Sequence, residues 1–127
     1  MKYYFAKTIG LPFKDAIART TAELQKEGFG VLTEIDVRAI LKQKLDVDMH
    51  NYHILGACHP RFAYEALEAE NKIGTMLPCN VIVQETEGGT EVAAIDPVRS
   101  MAAVDNPKLT EIAQDVRERL KRVIERL

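Results

Sequence analysis

The sequence contains no tryptophan, and its other large aromatic residues are four tyrosines and four phenylalanines. Proteins that bind single-stranded nucleic acid stack the bases on aromatic side chains, and this chain has few to offer. It also lacks an excess of basic residues, since its formal net charge is −2, whereas a surface that binds nucleic acid or anionic lipid is positively charged. The sequence therefore predicts no nucleic-acid partner.

Long apolar runs are missing as well. None approaches the ~20 residues that a transmembrane helix needs, and residues 1–10 contain no apolar stretch typical of a secretory signal. There are only two cysteines, Cys58 and Cys79, and a chain of this size buries enough surface to fold without a disulfide. We therefore expect no membrane partner, and a cytoplasmic protein whose thiols are reduced.

The sequence patterns of common enzymes are absent too. Ser100 is the only serine, so no Ser-His-Asp triad can be argued. There is no phosphate loop and no nucleophile elbow, and Gly28-Phe29-Gly30 precedes a predicted strand, whereas a dinucleotide-binding motif follows one. The sequence leaves open whether the protein is an enzyme, and it predicts no cofactor.

Strands are predicted where apolar and polar residues alternate or where β-branched residues cluster. The segments that meet these criteria are 2–9, 29–35, 52–58, a run that starts at Pro78, and a run that ends at Ile95. The side chains expected to share one face of the second segment are Phe29, Val31, Thr33 and Ile35. Gly88-Gly89 separates the last two segments and predicts a hairpin, because glycine supplies the positive φ of tight turns.

Helical spacing of apolar residues predicts a helix over 12–27, with Gly28 as its C-terminal cap. Asp36 is expected to cap a short second helix. The side chains that this short helix is expected to bury are Val37, Ile40, Leu41 and Leu45. Pro60 opens a third helix, and Asn106-Pro107 opens a last helix that runs to the end of the chain.

The order of these elements predicts the fold class. At least one hairpin argues against an all-parallel sheet, so we expect one domain, residues 1–127, of the α+β class. It would be a two-layer sandwich: a mixed or mostly antiparallel sheet of about five strands, packed by helices and including a long C-terminal helix. Several strands carry apolar residues on both faces, and a partner subunit would cover the face that the helices leave open. The sequence therefore predicts a homodimer.

A family resemblance is carried by four segments. They are residues 28–35, residues 54–60, residues 77–85, and Ile95-Asp96-Pro97 with Met101. Taken in this order they resemble domain-of-unknown-function family 302, a family of small, mostly prokaryotic proteins, over nearly the whole chain. The resemblance implies a compact α/β sandwich with no established activity, and it draws attention to Cys58 and Cys79.

These two cysteines are the residues at which chemistry is most readily sought. Cys58 ends a predicted strand two residues before Pro60, and a helix N-terminus there would lower the pKa of its thiol. If the third and fourth strands are antiparallel, both cysteines lie at one sheet edge; if the strands are parallel, they lie at opposite edges. Inert cysteines that pack as small apolar residues are the competing interpretation.

Two hypotheses about function follow. The favoured one is a non-catalytic binding or interaction module that acts as a homodimer. The alternative is a site for a small ligand or for thiol chemistry, redox or metal-binding, around Cys58 and Cys79. Asn80 and Asp96 are the further candidate ligand-binding residues. No catalytic residue is assigned.

The three histidines also lie near Cys58, at positions 50, 53 and 59. On one extended strand His53 and His59 share a face but stand ~20 Å apart, because each residue advances ~3.3 Å. Zinc ligands each approach the ion to ~2.0–2.3 Å. This segment alone therefore predicts no metal site, and His50 and His53 are expected at the surface.

Overall fold

The strands of the protein form one continuous sheet. In a computed structural model that describes residues 2–127, they span Tyr4–Ile9 (β1), Gly30–Asp36 (β2), Tyr52–Cys58 (β3), Cys79–Thr86 (β4) and Gly89–Ile95 (β5). Each neighbouring pair is antiparallel, and the spatial order is β1-β5-β4-β3-β2. The expected antiparallel character of the sheet is confirmed and extends to every strand pair.

The helices are Phe13–Lys26 (α1), Val37–Leu45 (α2), Pro60–Ala69 (α3), Pro97–Ser100 (α4) and Pro107–Glu125 (α5), with a 3₁₀ turn at Ile73–Met76. Both α1 and α5 pack on one face of the sheet. The side chains fully buried between these helices and the strands include Leu24, Leu55, Val81, Val92 and Leu120. This is the expected two-layer α+β sandwich, and the long helix α5 begins at the expected N-cap, Asn106. No helix within residues 2–127 has the length and apolar character to span a membrane.

The end of α1 fixes where β2 begins. Phe29 N–H donates to the carbonyl of Leu24 and Gly28 N–H to that of Gln25, each at 3.0 Å, which is the Schellman pattern. Gly28 has φ of 90°, a conformation that glycine adopts without steric cost. The predicted glycine at the end of α1 is confirmed.

A charged cluster ties the end of α1 to α5. The buried carboxylate of Glu27 accepts hydrogen bonds from Arg122 at 2.9 and 3.0 Å and from Arg126 at 2.7 Å. Hydrogen bonding from Arg122 lowers the pKa of Glu27. Because Arg122 lies on the last turn of α5 and Arg126 is its C-cap, this cluster holds the two main helices together.

In β2 the predicted facing of side chains is wrong because the strand contains a bulge. Val31 pairs with Ala57 and Thr33 with Gly56, so Leu32 is an extra residue with no partner on β3. A bulge reverses the alternation of the residues that follow it. Val31 therefore faces the helices, while Thr33 and Ile35 face the opposite side of the sheet.

The prediction for α2 is half right. Asp36 caps it as expected, with Oδ1 accepting from Ala39 N–H at 2.9 Å. The expected buried stripe does not exist, because α2 has no buried residue and leaves Ile40 and Leu45 exposed. Apolar spacing shows that a helix is amphipathic, but it does not show that its own chain covers the apolar side.

The predicted hairpin is confirmed one residue earlier than expected. Thr86 pairs with Gly89, so the loop is Glu87-Gly88, and the positive φ of 139° belongs to Gly89 in β5. A Cβ at Gly89 would collide with the carbonyl oxygen of Ile9 on β1. The second glycine therefore serves strand packing as well as the turn.

Candidate functional site

A cavity of about 310 Å³ lies between one end of the sheet and the helices α3, α4 and α5. Its apolar walls include Phe29, Phe62, Leu67, Leu77, Met101 and Ile112. The only polar side chains that line it within residues 2–127 are those of Cys58, His59 and Cys79. The cavity therefore places the two cysteines of the sequence in one apolar space.

Helix α3 forms one wall of this cavity. Of its apolar residues only Ala66 is fully buried, while Phe62, Ala63 and Leu67 line the cavity. An apolar stripe at helical spacing is usually core. Here it faces a space that the chain leaves unfilled, so the stripe of α3 is part of the site.

The bulge in β2 contributes to the mouth of the cavity. Leu32, the unpaired bulge residue, lines the cavity and is 67% exposed. Bulges redirect a side chain at the edge of a sheet. Leu32 and the exposed Leu67 thus place apolar side chains where the cavity meets solvent.

The antiparallel pairing of β3 and β4 brings the cysteines together. Cys79 pairs directly with Ala57, so Cys58 is the next residue along the neighbouring strand. Burial raises the pKa of the Cys58 thiol. Burial, with a smaller contribution from Cys58, raises the pKa of Cys79 to about 11. The expected lowering of the Cys58 pKa by the N-terminus of α3 is therefore wrong, because loss of water around the thiol is the larger effect.

His59 stands between two phenylalanines at the N-cap of α3. Its ring lies 5.6 Å from that of Phe29 and 4.4 Å from that of Phe62, centroid to centroid. Its Nδ1 is buried and has no hydrogen-bond partner among the described residues. Burial and, to a smaller extent, the nearby Arg119 lower the pKa of His59, so the imidazole is neutral.

Close packing against Gly28 fixes the position of this ring. A Cβ on Gly28 would stand 2.6 Å from His59 Nε2. The Schellman motif that ends α1 therefore also makes room for one wall residue of the cavity. Only glycine satisfies both the positive φ and this contact.

The other two candidate residues lie elsewhere. Asn80 pairs with Gly56 on the sheet face away from the helices and is exposed. Asp96 is buried, but both of its oxygens have structural partners: Oδ1 accepts from Val98 N–H at 3.0 Å, and Oδ2 accepts from Arg117 Nε at 3.2 Å. The structure thus brings Cys58 and Cys79 together and leaves Asn80 and Asp96 outside the cavity.

The remaining histidines are not near the cavity. His50 is exposed and hydrogen-bonds Gln84 at 2.9 Å. His53, expected at the surface, is only 16% exposed and hydrogen-bonds Glu34 at 2.7 Å. Within residues 2–127 no group of three His, Cys, Asp or Glu side chains is arranged to hold a metal ion.

Sequence reasoning missed His59, Phe62 and Leu32. His59 was considered as a metal ligand on an extended strand, but the chain turns into α3 directly after it. The sequence signal that could have pointed to these residues was the apolar stripe of α3, which begins directly after Cys58-His59. No pattern in the sequence marked Leu32 as a bulge residue.

The family model for the domain of unknown function DUF302 matches residues 5–127. The chain therefore belongs to this family, and the resemblance seen in the sequence is confirmed. A crystal structure of an uncharacterized conserved protein DUF302 from Bacillus stearothermophilus is similar to it, with a TM-score of 0.92 and 28% sequence identity over 99% of this chain and 98% of that chain. No curated protein matches the chain.

Proposed function

We propose that this member of the DUF302 family is a non-catalytic binding module that holds a small apolar molecule beside Cys58 and Cys79. The observation that carries this proposal is the apolar cavity of about 310 Å³. Ligand pockets typically have volumes of ~300–1,000 Å³ and walls that are mostly apolar. The cavity lies at the small end of that range, which suits a compact molecule of two or three rings or a short chain.

Binding is favoured over catalysis by the state of the polar groups. A nucleophilic cysteine acts as the thiolate, and burial raises the pKa of both thiols here. A histidine that acts as a general base is usually oriented by a hydrogen bond to its second nitrogen, and His59 Nδ1 makes none within residues 2–127. A cytoplasmic location is part of the proposal, since both cysteines are free and a reducing compartment keeps thiols so.

The test uses the neutral fluorescent dye N-phenyl-1-naphthylamine, whose emission rises when it leaves water. The absence of tryptophan keeps the background of the protein low. We expect saturable binding by the wild-type protein. The variant Ala63→Phe fills the cavity and should weaken binding by about tenfold or more, equivalent to ~1.4 kcal/mol.

The matched control is Ala22→Phe, which adds the same side chain at an exposed position on α1. It should bind the dye as the wild-type protein does. Absence of saturable binding by the wild-type protein, or unchanged binding by Ala63→Phe, would overturn the proposal.

A second proposal concerns the sheet face away from the helices, which we propose is covered by a second copy of the chain. Direct strand pairing places Ile35, Ile54, Ile82, Ala93 and Ala6 in one row across all five strands. With strands ~4.8 Å apart this apolar row is about 19 Å long. Helix α2 leaves two further apolar side chains, Ile40 and Leu45, exposed to solvent.

The surroundings of this row support an interface between two copies. Gln84, Glu91 and Asn80 lie in the neighbouring rows, so an apolar centre has a polar rim, the arrangement of protein–protein interfaces. A row that crosses a whole sheet can face the same row of a second copy about a two-fold axis, and most homo-oligomers are of this kind.

Sedimentation equilibrium tests the homodimer. We expect a dimer for the wild-type protein at high micromolar concentration and a monomer for Ile82→Lys, which buries a charge at the centre of the row. The control Ala22→Lys changes an exposed residue on α1 and should remain a dimer. A monomeric wild-type protein would contradict the proposal.

A further inference from the structure

We infer that the ligand of the cavity is electrically neutral, and that a carboxylate, phosphate or ammonium group on the same apolar body weakens its binding by about tenfold or more. The inference rests on the proposed function and specifies the chemical class of ligand. It is drawn from what the cavity wall contains.

No Asp, Glu, Lys or Arg side chain within residues 2–127 lines the cavity. The same wall has no serine, threonine, asparagine or glutamine side chain. Burying a charge without a partner of opposite charge costs several kcal/mol or more. A charged group carried into this space would lose its water and meet no side chain of opposite charge.

The three polar side chains on the wall are also uncharged at neutral pH. Burial raises the thiol pKa values of Cys58 and Cys79 and lowers the pKa of His59. A thiol is a weak donor and a neutral imidazole offers one donor and one acceptor. These groups can satisfy a single hydroxyl or carbonyl, but not a carboxylate, whose two oxygens accept several hydrogen bonds.

Arg119, which packs against one wall residue of the cavity, has its own partners outside it. Arg119 lies over the ring of Phe62, with its guanidinium carbon 5.3 Å from the ring centroid. It donates to the carbonyl oxygen of Glu27 at 3.2 Å and stands 3.7 Å from the Glu27 carboxylate. It does not line the cavity, so it supplies no counter-charge to a ligand inside.

Competition against bound N-phenyl-1-naphthylamine tests the inference with a matched series: 1-decanol, decanamide, decanoate and protonated decylamine. The four share one apolar chain and differ in the charge of the head group. We expect the alcohol and the amide to displace the dye at concentrations at least about tenfold lower than the two ions.

The outcomes distinguish failure of the neutral-ligand inference from failure of the proposed binding function. Displacement by decanoate or decylamine as effective as displacement by decanol would overturn the inference and leave the cavity as a binding site. If decanoate displaces the dye from the wild-type protein but not from Arg119→Gln, a charged ligand reaches that arginine and the inference also fails. If the wild-type protein does not bind the dye, the proposed function itself fails.

Discussion

Cys79 shows at the level of one residue how burial decides chemistry. Its partner on β3 is Ala57, and both side chains face the apolar layer between sheet and helices. Burial raises the pKa of the thiol to about 11. At neutral pH only about one thiol in ten thousand is then ionised, as follows from four pH units of difference.

This state predicts the pH dependence of alkylation. In the variant Cys58→Ser only Cys79 remains, and its reaction with iodoacetamide in the folded protein should accelerate about tenfold per pH unit from about pH 7 to pH 10. Mass spectrometry follows the reaction. The urea-unfolded protein is the control, and its rate should level off near the usual thiol pKa of about 8.5. A folded-state rate that levels off at the same pH would contradict the assigned burial.

Gly28 is the second residue that carries a prediction. Gly28→Ala introduces a Cβ at a φ of 90° and against the ring of His59. We expect a loss of about 1–2 kcal/mol in the free energy of unfolding, from backbone strain and the displaced ring. Because His59 lines the cavity, affinity for the neutral dye should fall as well.

The matched control for that variant is two residues away. A Cβ on Gly30 meets no atom within 4 Å, and the φ of Gly30 is not positive. Gly30→Ala should therefore keep the stability within about 1 kcal/mol of the wild-type value and keep dye affinity unchanged. Equal losses for the two variants, measured by urea unfolding, would argue against the special role of Gly28.

At the scale of elements, the Glu27 cluster joins α1 to α5. Hydrogen bonds and charge from Arg122 and Arg126 hold the pKa of Glu27 below its usual value of 4.5. A carboxyl group whose pKa is lower in the folded state stabilises the fold above the unfolded-state pKa, and this contribution disappears as the pH falls through the folded-state pKa.

Glu27→Gln should therefore destabilise the protein at neutral pH and do so much less in acid. We expect a loss of about 1–3 kcal/mol at neutral pH, because hydrogen bonds to a charged group are lost. Urea midpoints at neutral pH and below the folded-state pKa measure the difference. Glu65→Gln is the control. Glu65 is half-exposed, and its carboxylate lies as far as 4.0 Å from the guanidinium of the exposed Arg61. Surface ion pairs of this kind contribute ~0–1 kcal/mol. A loss from Glu27→Gln that is the same at both pH values would contradict the assignment.

The elements also show what sequence reasoning can and cannot reach. α5 could be predicted with its Asn106 cap because capping and 3.6-residue spacing are local properties of the chain. The exposed side of α2 could not be predicted, since burial depends on what the rest of the chain places opposite it. The bulge at Leu32 could not be predicted for a similar reason. The register of β2 is set by its pairing with β3, and the sequence of β2 alone does not determine that pairing.

The candidate site, too, could be predicted in part from local sequence and in part not. The position of Cys58 and Cys79 at one sheet edge followed from the antiparallel alternative, which the hairpin in the second half favoured. The cavity between them and α3 could not be predicted, because an unfilled volume is a property of packing among distant segments. Asp96 was a candidate in the sequence, but its carboxylate caps α4 and accepts a hydrogen bond from Arg117, so it is not free to bind a ligand.

For the whole molecule, the sheet separates two apolar surfaces with different proposed roles. One is the cavity, which lies on the side of α3 and α5; the other is the row through Ile54 and Ile82, whose side chains alternate with the core-facing Leu55 and Val81. Residues adjacent on a strand face opposite sides of the sheet. A fully packed sheet lies between the proposed ligand and the proposed second subunit.

This separation predicts that ligand binding and self-association are independent. Ile82→Lys should give a monomer that binds the neutral dye with wild-type affinity, and Ala63→Phe should give a dimer that binds the dye weakly. Both variants are measured by sedimentation equilibrium and dye titration at the same protein concentrations. The physical reason is that a free energy of coupling needs an element that moves between two states, and the core between the surfaces is closely packed. Loss of dye binding in Ile82→Lys, with its fold retained by circular dichroism, would show instead that the second copy completes the cavity.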